Sequence, residues 1–172
     1  MKVENMNLSK TNKTLSLPCA LLAAAFLVAG CRSTAPRPWN INITKTTPAS
    51  IQIDLIGITK SEEPKWEGYG MDQYWSDGDL RRKNADSLTQ TLKMNQPWKI
   101  SIKDPQWHKW LNRGATELAV IANLPGKFPP GSADPRLNFF PLSRRAWKAK
   151  NHTLEFEVQD TIVIPLTPQR PK

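Results

Sequence analysis

The sequence predicts an all-β fold with one or two short helices, arranged as an antiparallel β-sandwich. Three observations carry this. Seven short segments alternate or run apolar and are separated by turn residues, the pattern of a sandwich. Fifteen prolines lie scattered among them, which excludes long helices. One stretch alone carries a full set of helix boundary signals.

The segments follow one another along the chain. "WNINI" sets Ile41 and Ile43 against Asn40 and Asn42, and "SIQIDLIGI" puts Ile51, Ile53 and Leu55 on one face. "SLTQTLKM" places Leu88 and Leu92 together, with Gln90 breaking the stripe. "PWKISIKD" turns Trp98, Ile100 and Ile102 inward and Lys99, Ser101 and Lys103 outward. "TELAVIAN" is a continuous apolar run, as in a central strand. "HTLEFEVQ" alternates Leu154, Phe156 and Val158 against Glu155, Glu157 and Gln159, and "TIVIPL" follows. In "DPQWHKWLNRG", Asp104 is the N-cap, Pro105 the first helical residue and Gly114 the stop, with Trp107, Trp110 and Leu111 on one face. A second short helix or irregular turn is expected over "GMDQYWSDGDLRRKNA". The proline-rich "NLPGKFPPGSADPRLNFFPLS" is expected as one long loop.

Ahead of these segments stands an apolar run from Leu15 to Ala29, preceded by Lys2, Lys10 and Lys13 with Glu4 as the one acid. A span of the ~30 Å hydrocarbon core takes about 20 residues. This run is shorter and ends in small residues, as a secretory signal does. Val28-Ala29-Gly30-Cys31 resembles a bacterial lipobox, whose cysteine is diacylated and becomes the new N-terminus. Arg32, in place of an Asp retention signal, points to the outer membrane and its periplasmic face. The expected organisation is a lipoprotein signal peptide at 1–30, a lipidated tether at 31–38, a sandwich domain at 39–166 and a flexible tail at 167–172. Diacylglycerol and an N-acyl chain on Cys31 would hold more firmly than a single myristoyl group.

The cleaved chain loses three of its 24 Lys/Arg and one of its 15 Asp/Glu, leaving a net charge of +7. Cys19 leaves with the signal and Cys31 carries lipid, so the domain has no disulfide and depends on packing. An exported basic protein meets acidic protein, anionic headgroups or peptidoglycan carboxylates, not nucleic acid. His108 and His152 lack ligand partners at metal spacing, so no metal is expected. Asp72, Asp77 and Asp79 around Gly78 lack the order of an EF-hand loop and are expected as an acidic, helix-capping turn. Glu62 and Glu63 are adjacent and do not form a carboxylate pair, and no serine is tied to a His-Asp couple. The expectation is a protein without enzymatic activity and without a cofactor.

"ELAVIANLPG" and "PLSRRAWKAKNHTLEFEVQDTIVI" resemble the second half of TssJ-type lipoproteins of the type VI secretion system. The matching positions are Val120, Ile121 and Ala122, then Trp147-Lys148, then Leu154 to Ile164. "SIQIDLIGI" resembles the family's apolar second strand, "YGMDQYWSDGD" lies at its short aromatic helix, and the lipobox agrees. The resemblance covers 39–166. It implies a transthyretin-like sandwich that binds the periplasmic domain of a TssM-type inner-membrane protein. The resemblance implies docking through the loop between the first two strands, Lys45 to Ser50, with Lys45, Thr46, Thr47 and Pro48 as its contact residues. Because "TKTTPAS" is shorter than the family's usual loop, the contact is also expected from Lys127 and Phe128 in the longer "LPGKFPPGSADPR". The alternative is a peptidoglycan- or carbohydrate-binding envelope lipoprotein, with Trp66, Trp75 and Trp147 as candidate exposed aromatics.

Cys31→Ser is expected to leave an unlipidated protein. Palmitate labelling and membrane fractionation check this, and a labelled variant retained in the outer membrane would refute the assignment.

Overall fold

Among the described residues eight strands form two sheets of four. In chain order they are β1 (Asn40–Lys45), β2 (Ile51–Ile58), β3 (Leu88–Leu92), β4 (Trp98–Ile100), β5 (Glu117–Ala122), β6 (Leu137–Pro141), β7 (Thr153–Val158) and β8 (Val163–Pro165). One sheet runs β4-β1-β7-β8 and the other β3-β2-β5-β6. The computed structural model describes residues 35–128 and 133–171. The signal segment 1–30 and Cys31 lie outside the described residues.

The sandwich is as the sequence predicts, with one difference in strand direction. β1 and β7 pair in parallel, from Asn40 opposite Thr153 to Lys45 opposite Val158. Parallel strands need a long crossover, and here nearly the whole domain supplies it. All other pairs are antiparallel.

The alternation of β1 and β7 sends Ile41, Ile43, Leu154, Phe156 and Val158 inward against Ile53, Leu55, Leu118 and Val120 of the other sheet. β5 reads as a continuous apolar run, and β2 as a nearly continuous one broken by Gln52 and Asp54, because both of their faces are covered. Their second faces, Ile56, Ile58, Ala119 and Ile121, meet Trp66, Met71 and Tyr74 in an outer cluster. That cover is built from a 3-10 turn at Lys60–Glu62 and three short helices, α1 (Glu63–Glu67), α2 (Met71–Tyr74) and α3 (Leu80–Lys83).

The fourth helix, α4 (Pro105–Asn112), is bounded as expected. Asp104 Oδ1 accepts from the Gln106 amide at 2.8 Å, and Gly114 takes φ +83° just past the end. Trp107 and Trp110 sit edge to face with centroids 5.3 Å apart. Their indole N–H groups donate to Ser101 O at 3.1 Å and Asp86 O at 2.9 Å, so two large buried side chains leave no polar atom unpaired. The helix lies so close to β2 that a Cβ on Gly57 would stand 2.4 Å from Trp110 Cγ.

Several expectations are corrected. The stretch expected as one long loop contains β6, which pairs with β5 from Glu117 opposite Pro141 to Ile121 opposite Leu137. Proline at its end confines it to a sheet edge, which is where it lies. β4 stops at Ile100, so Trp98 and Ile102 are only half-buried. Trp66 and Trp147, candidates for exposure, are buried at 6% and 1%, and Trp75 is half-buried. The tail is bonded to the domain: Thr167 Oγ1 accepts from the Glu155 amide at 2.8 Å, and Gln169 pairs with Trp147. The fold also begins before Trp39, because Pro36 pairs with Ser143 and the Arg37 amide donates to Leu142 O at 3.2 Å.

Gly57→Val forces side-chain atoms into Trp110 and is expected to destabilise the domain by about 1–3 kcal/mol or more. Urea unfolding followed by tryptophan fluorescence measures it. A smaller loss would mean that α4 shifts freely on β2.

Candidate functional site

The strand directions sort the connections to two ends of the sandwich. At the end where β1 and β7 finish lie residues 46–50, 93–97, 123–128, 133–136 and 159–162. Two bonds and one register pair fix this grouping: Thr46 N to Val158 O at 3.1 Å, Asn123 N to Gln52 O at 2.8 Å, and Ile51 opposite Leu92. The two loops singled out from the sequence therefore share one end. The opposite end receives the chain at residues 35–39 and carries α4 and residues 141–152.

Within 46–50 the six named candidates begin to separate. Lys45 and Thr47 are buried, whereas Thr46, Pro48, Ala49 and Ser50 are exposed. Lys45 Nζ turns back under the loop and donates to Thr47 O and, at 2.7 Å, to Ala49 O. Its ammonium therefore closes the loop and is not presented to a partner. A five-residue loop holding a proline and two charge-assisted bonds is pre-organised, which lowers the entropy cost of docking.

In the other loop Lys127 is exposed, and Phe128 folds back against the main core. The Arg136 guanidinium lies 4.8 Å from the Phe128 ring centroid. Arg136 is itself buried, pairing with Asp134 at 2.7 Å and with Asp72 of α2 at 2.6 Å. Burial raises the Asp134 pKa, but the hydrogen bonds and charge of Arg136 outweigh it and hold the carboxyl below its usual range. The stem of this loop is thereby bolted to the outer helical cover.

Two members of this end went unnoticed in the sequence. Met94 is 52% exposed and Ile162 38% exposed, each at a turn between strands. A lone apolar residue in "LKMNQP" or "QDTIVI" carries no signal until the turns are brought to one end.

The acidic turn also has assigned roles. Asp79 caps α3 by accepting from the Arg82 amide at 2.7 Å, and it accepts from Tyr69 Oη at 2.5 Å. Two polar clefts of about 230 and 270 Å³ flank the helical cover, and neither is lined by a histidine or cysteine. Among the described residues no three His, Cys, Asp or Glu side chains gather as for a metal ion. Trp66 is covered by the Arg81 guanidinium at 4.4 Å and Trp75 by that of Arg82 at 4.2 Å. No helix among the described residues is long and apolar enough to cross a membrane.

No protein-family model matches the sequence, and no curated protein matches it. In fold the chain is similar to a structure described as the T6SS protein TssM C-terminal domain (869–1107) from EAEC. The TM-score is 0.50 at 9% identity, covering 74% of this chain and 99% of that one. It is also similar to the T6SS lipoprotein TssJ1 from Pseudomonas aeruginosa, with a TM-score of 0.43, 10% identity and coverage of 79% and 99%. A third similar structure is Serratia marcescens Lip, described as a membrane-bound component of the type VI secretion system. There the TM-score is 0.43 at 12% identity, with 75% and 98% covered.

Lys45→Met retains the aliphatic stem and removes both loop-closing bonds. Amides of residues 46–50 are expected to exchange about tenfold faster, for a loss of about 1.5 kcal/mol locally, with little change in Tm. Unchanged exchange would mean that the loop holds its shape without the ammonium.

Proposed function

We propose that this chain is an outer-membrane lipoprotein that anchors a type VI secretion membrane complex by binding the periplasmic domain of a TssM-type inner-membrane protein. The carrying observation is the opposition of the two ends. The chain enters the domain at residues 35–39, and the candidate docking loops stand at the far end of β1. Six residues of strand at about 3.3 Å each separate them by roughly 20 Å. An acyl anchor on Cys31 would then leave those loops facing away from the membrane.

The fold shared with the structure described as a TssM domain of EAEC supports this reading, as do the lipobox and the strand resemblance. The role requires no chemistry. One contact is fixed by lipid and the other by protein, and tethering raises the effective concentration at which the second forms. This end offers exposed Thr46, Pro48 and Lys127, with exposed Met94 and Ile162 at the turns that lead into the two edge strands β4 and β8. Trp66 and Trp147 are buried and Trp75 is covered by Arg82, so the three indoles on which the glycan-binding alternative rested are not open to a sugar ring.

Replacing residues 46–50 or 125–133 with Gly/Ser linkers of equal length spares Lys45 and Arg136. The variants should stay folded and bind a TssM-type periplasmic domain at least about tenfold more weakly for the loop that docks. Isothermal calorimetry reads this out. A folded parent chain that binds no such domain would end the secretion reading.

A further inference from the structure

The net positive charge of the domain is concentrated on one patch. Residues 40–142 and 153–166 carry thirteen Lys/Arg against fourteen Asp/Glu, a net charge of −1. The segments 35–39, 143–152 and 167–170 hold Arg37, Arg144, Arg145, Lys148, Lys150 and Arg170 and no acid at all. These segments are far apart in sequence, and the fold laces them together. Pro36 bridges Ser143 and Trp147 bridges Gln169. The Lys148 amide donates to Pro168 O and the Arg170 amide to Ala146 O, both at 2.8 Å. The Asn40 amide donates to His152 O at 3.0 Å. All six cations are exposed, and none pairs with a carboxylate among the described residues.

This patch surrounds the point where the chain enters the domain. We propose that it is a membrane-facing surface that lies against the anionic phospholipid headgroups of the bilayer holding the anchor. The inference rests on the lipid-anchor reading above and adds to it an orientation. A tether alone lets the domain tumble, whereas six unpaired cations beside the tether hold this end down and the docking loops up. Attraction of this kind acts within a Debye length, about 10 Å at 0.1 M salt, and a five-residue step from Cys31 to Pro36, at most about 18 Å when extended, allows the patch to reach that range. The backbone bonds that join the three segments keep the cations together, so their attraction to one surface adds. Local clustering, and not total charge, is what distinguishes this surface from the neutral remainder.

The test uses the full chain, lipidated and reconstituted in nanodiscs of phosphatidylcholine alone or with about 30% phosphatidylglycerol. Amide exchange across residues 144–152 is expected to be about fivefold or more slower in the anionic discs. The difference should vanish at about 0.5 M NaCl and in the R144E/R145E variant. Lys93→Glu with Lys127→Glu, at the opposite end, should retain it. Equal exchange in both discs, for a chain that mass spectrometry shows to be acylated, would overturn the patch and leave the anchor standing. A chain without acyl groups would overturn the anchor and this orientation with it.

Discussion

The Asp54 carboxylate has no exposed surface and stands in the middle of β2, between two layers of apolar packing. It accepts from Tyr74 Oη at 2.8 Å, Arg82 Nε at 2.9 Å and Thr89 Oγ1 at 2.8 Å. Those donors come from α2, α3 and β3, so one side chain ties the helical cover to the sheet beneath it. A buried charge is tolerated only when it is paired and fully bonded. The cost of leaving it unpaired, about 3–5 kcal/mol, makes the alternative placements of α2 and α3 unfavourable. Burial first, and the Asp54 charge second, push the Tyr74 phenol well above its ordinary pKa, so it remains a donor at every physiological pH. Arg82 in turn covers Trp75, and Arg81 is held between Trp66 and Tyr69 at 4.4 Å from each ring. The cover is an aromatic layer pinned by arginines, and Asp54 is its point of attachment.

With that cover in place the central strands β2 and β5 of the second sheet are buried on both faces, while the outer face of the first sheet remains polar. Neither broad face is then left with a large apolar area. What remains for contact is the two ends, and the topology gives them different characters. At one end the topology gathers loops that are internally braced, the short one by Lys45 and the long one by Arg136. At the other end it gathers the entering chain, the 143–152 segment and the returning tail into a cationic surface. The proposed division of labour between protein contact and bilayer contact follows from that polarity.

Sequence alone was sufficient for the sandwich and for α4 with its caps, because each depends on local rules. Period-two alternation marks strands buried on one face, and Asp-Pro at the start and Gly at the end bound a helix whatever its surroundings. It was sufficient also to bring loops 46–50 and 123–136 forward as candidates. It was silent where the outcome depended on residues far apart. Lys45 looks like an exposed loop charge until the loop folds over it, and Asp54 looks like an interruption until three distant donors converge on it. Trp66 and Trp147 have no alternating neighbours to betray their burial, and β6 hides among prolines because an edge strand needs half the pairing of a central one. The parallel β1–β7 pair and the six-cation patch exist only once segments more than a hundred residues apart are adjacent. Local propensity and spacing determine the elements. Which charges are buried, which are left over, and where the leftovers gather is decided by how those elements pack.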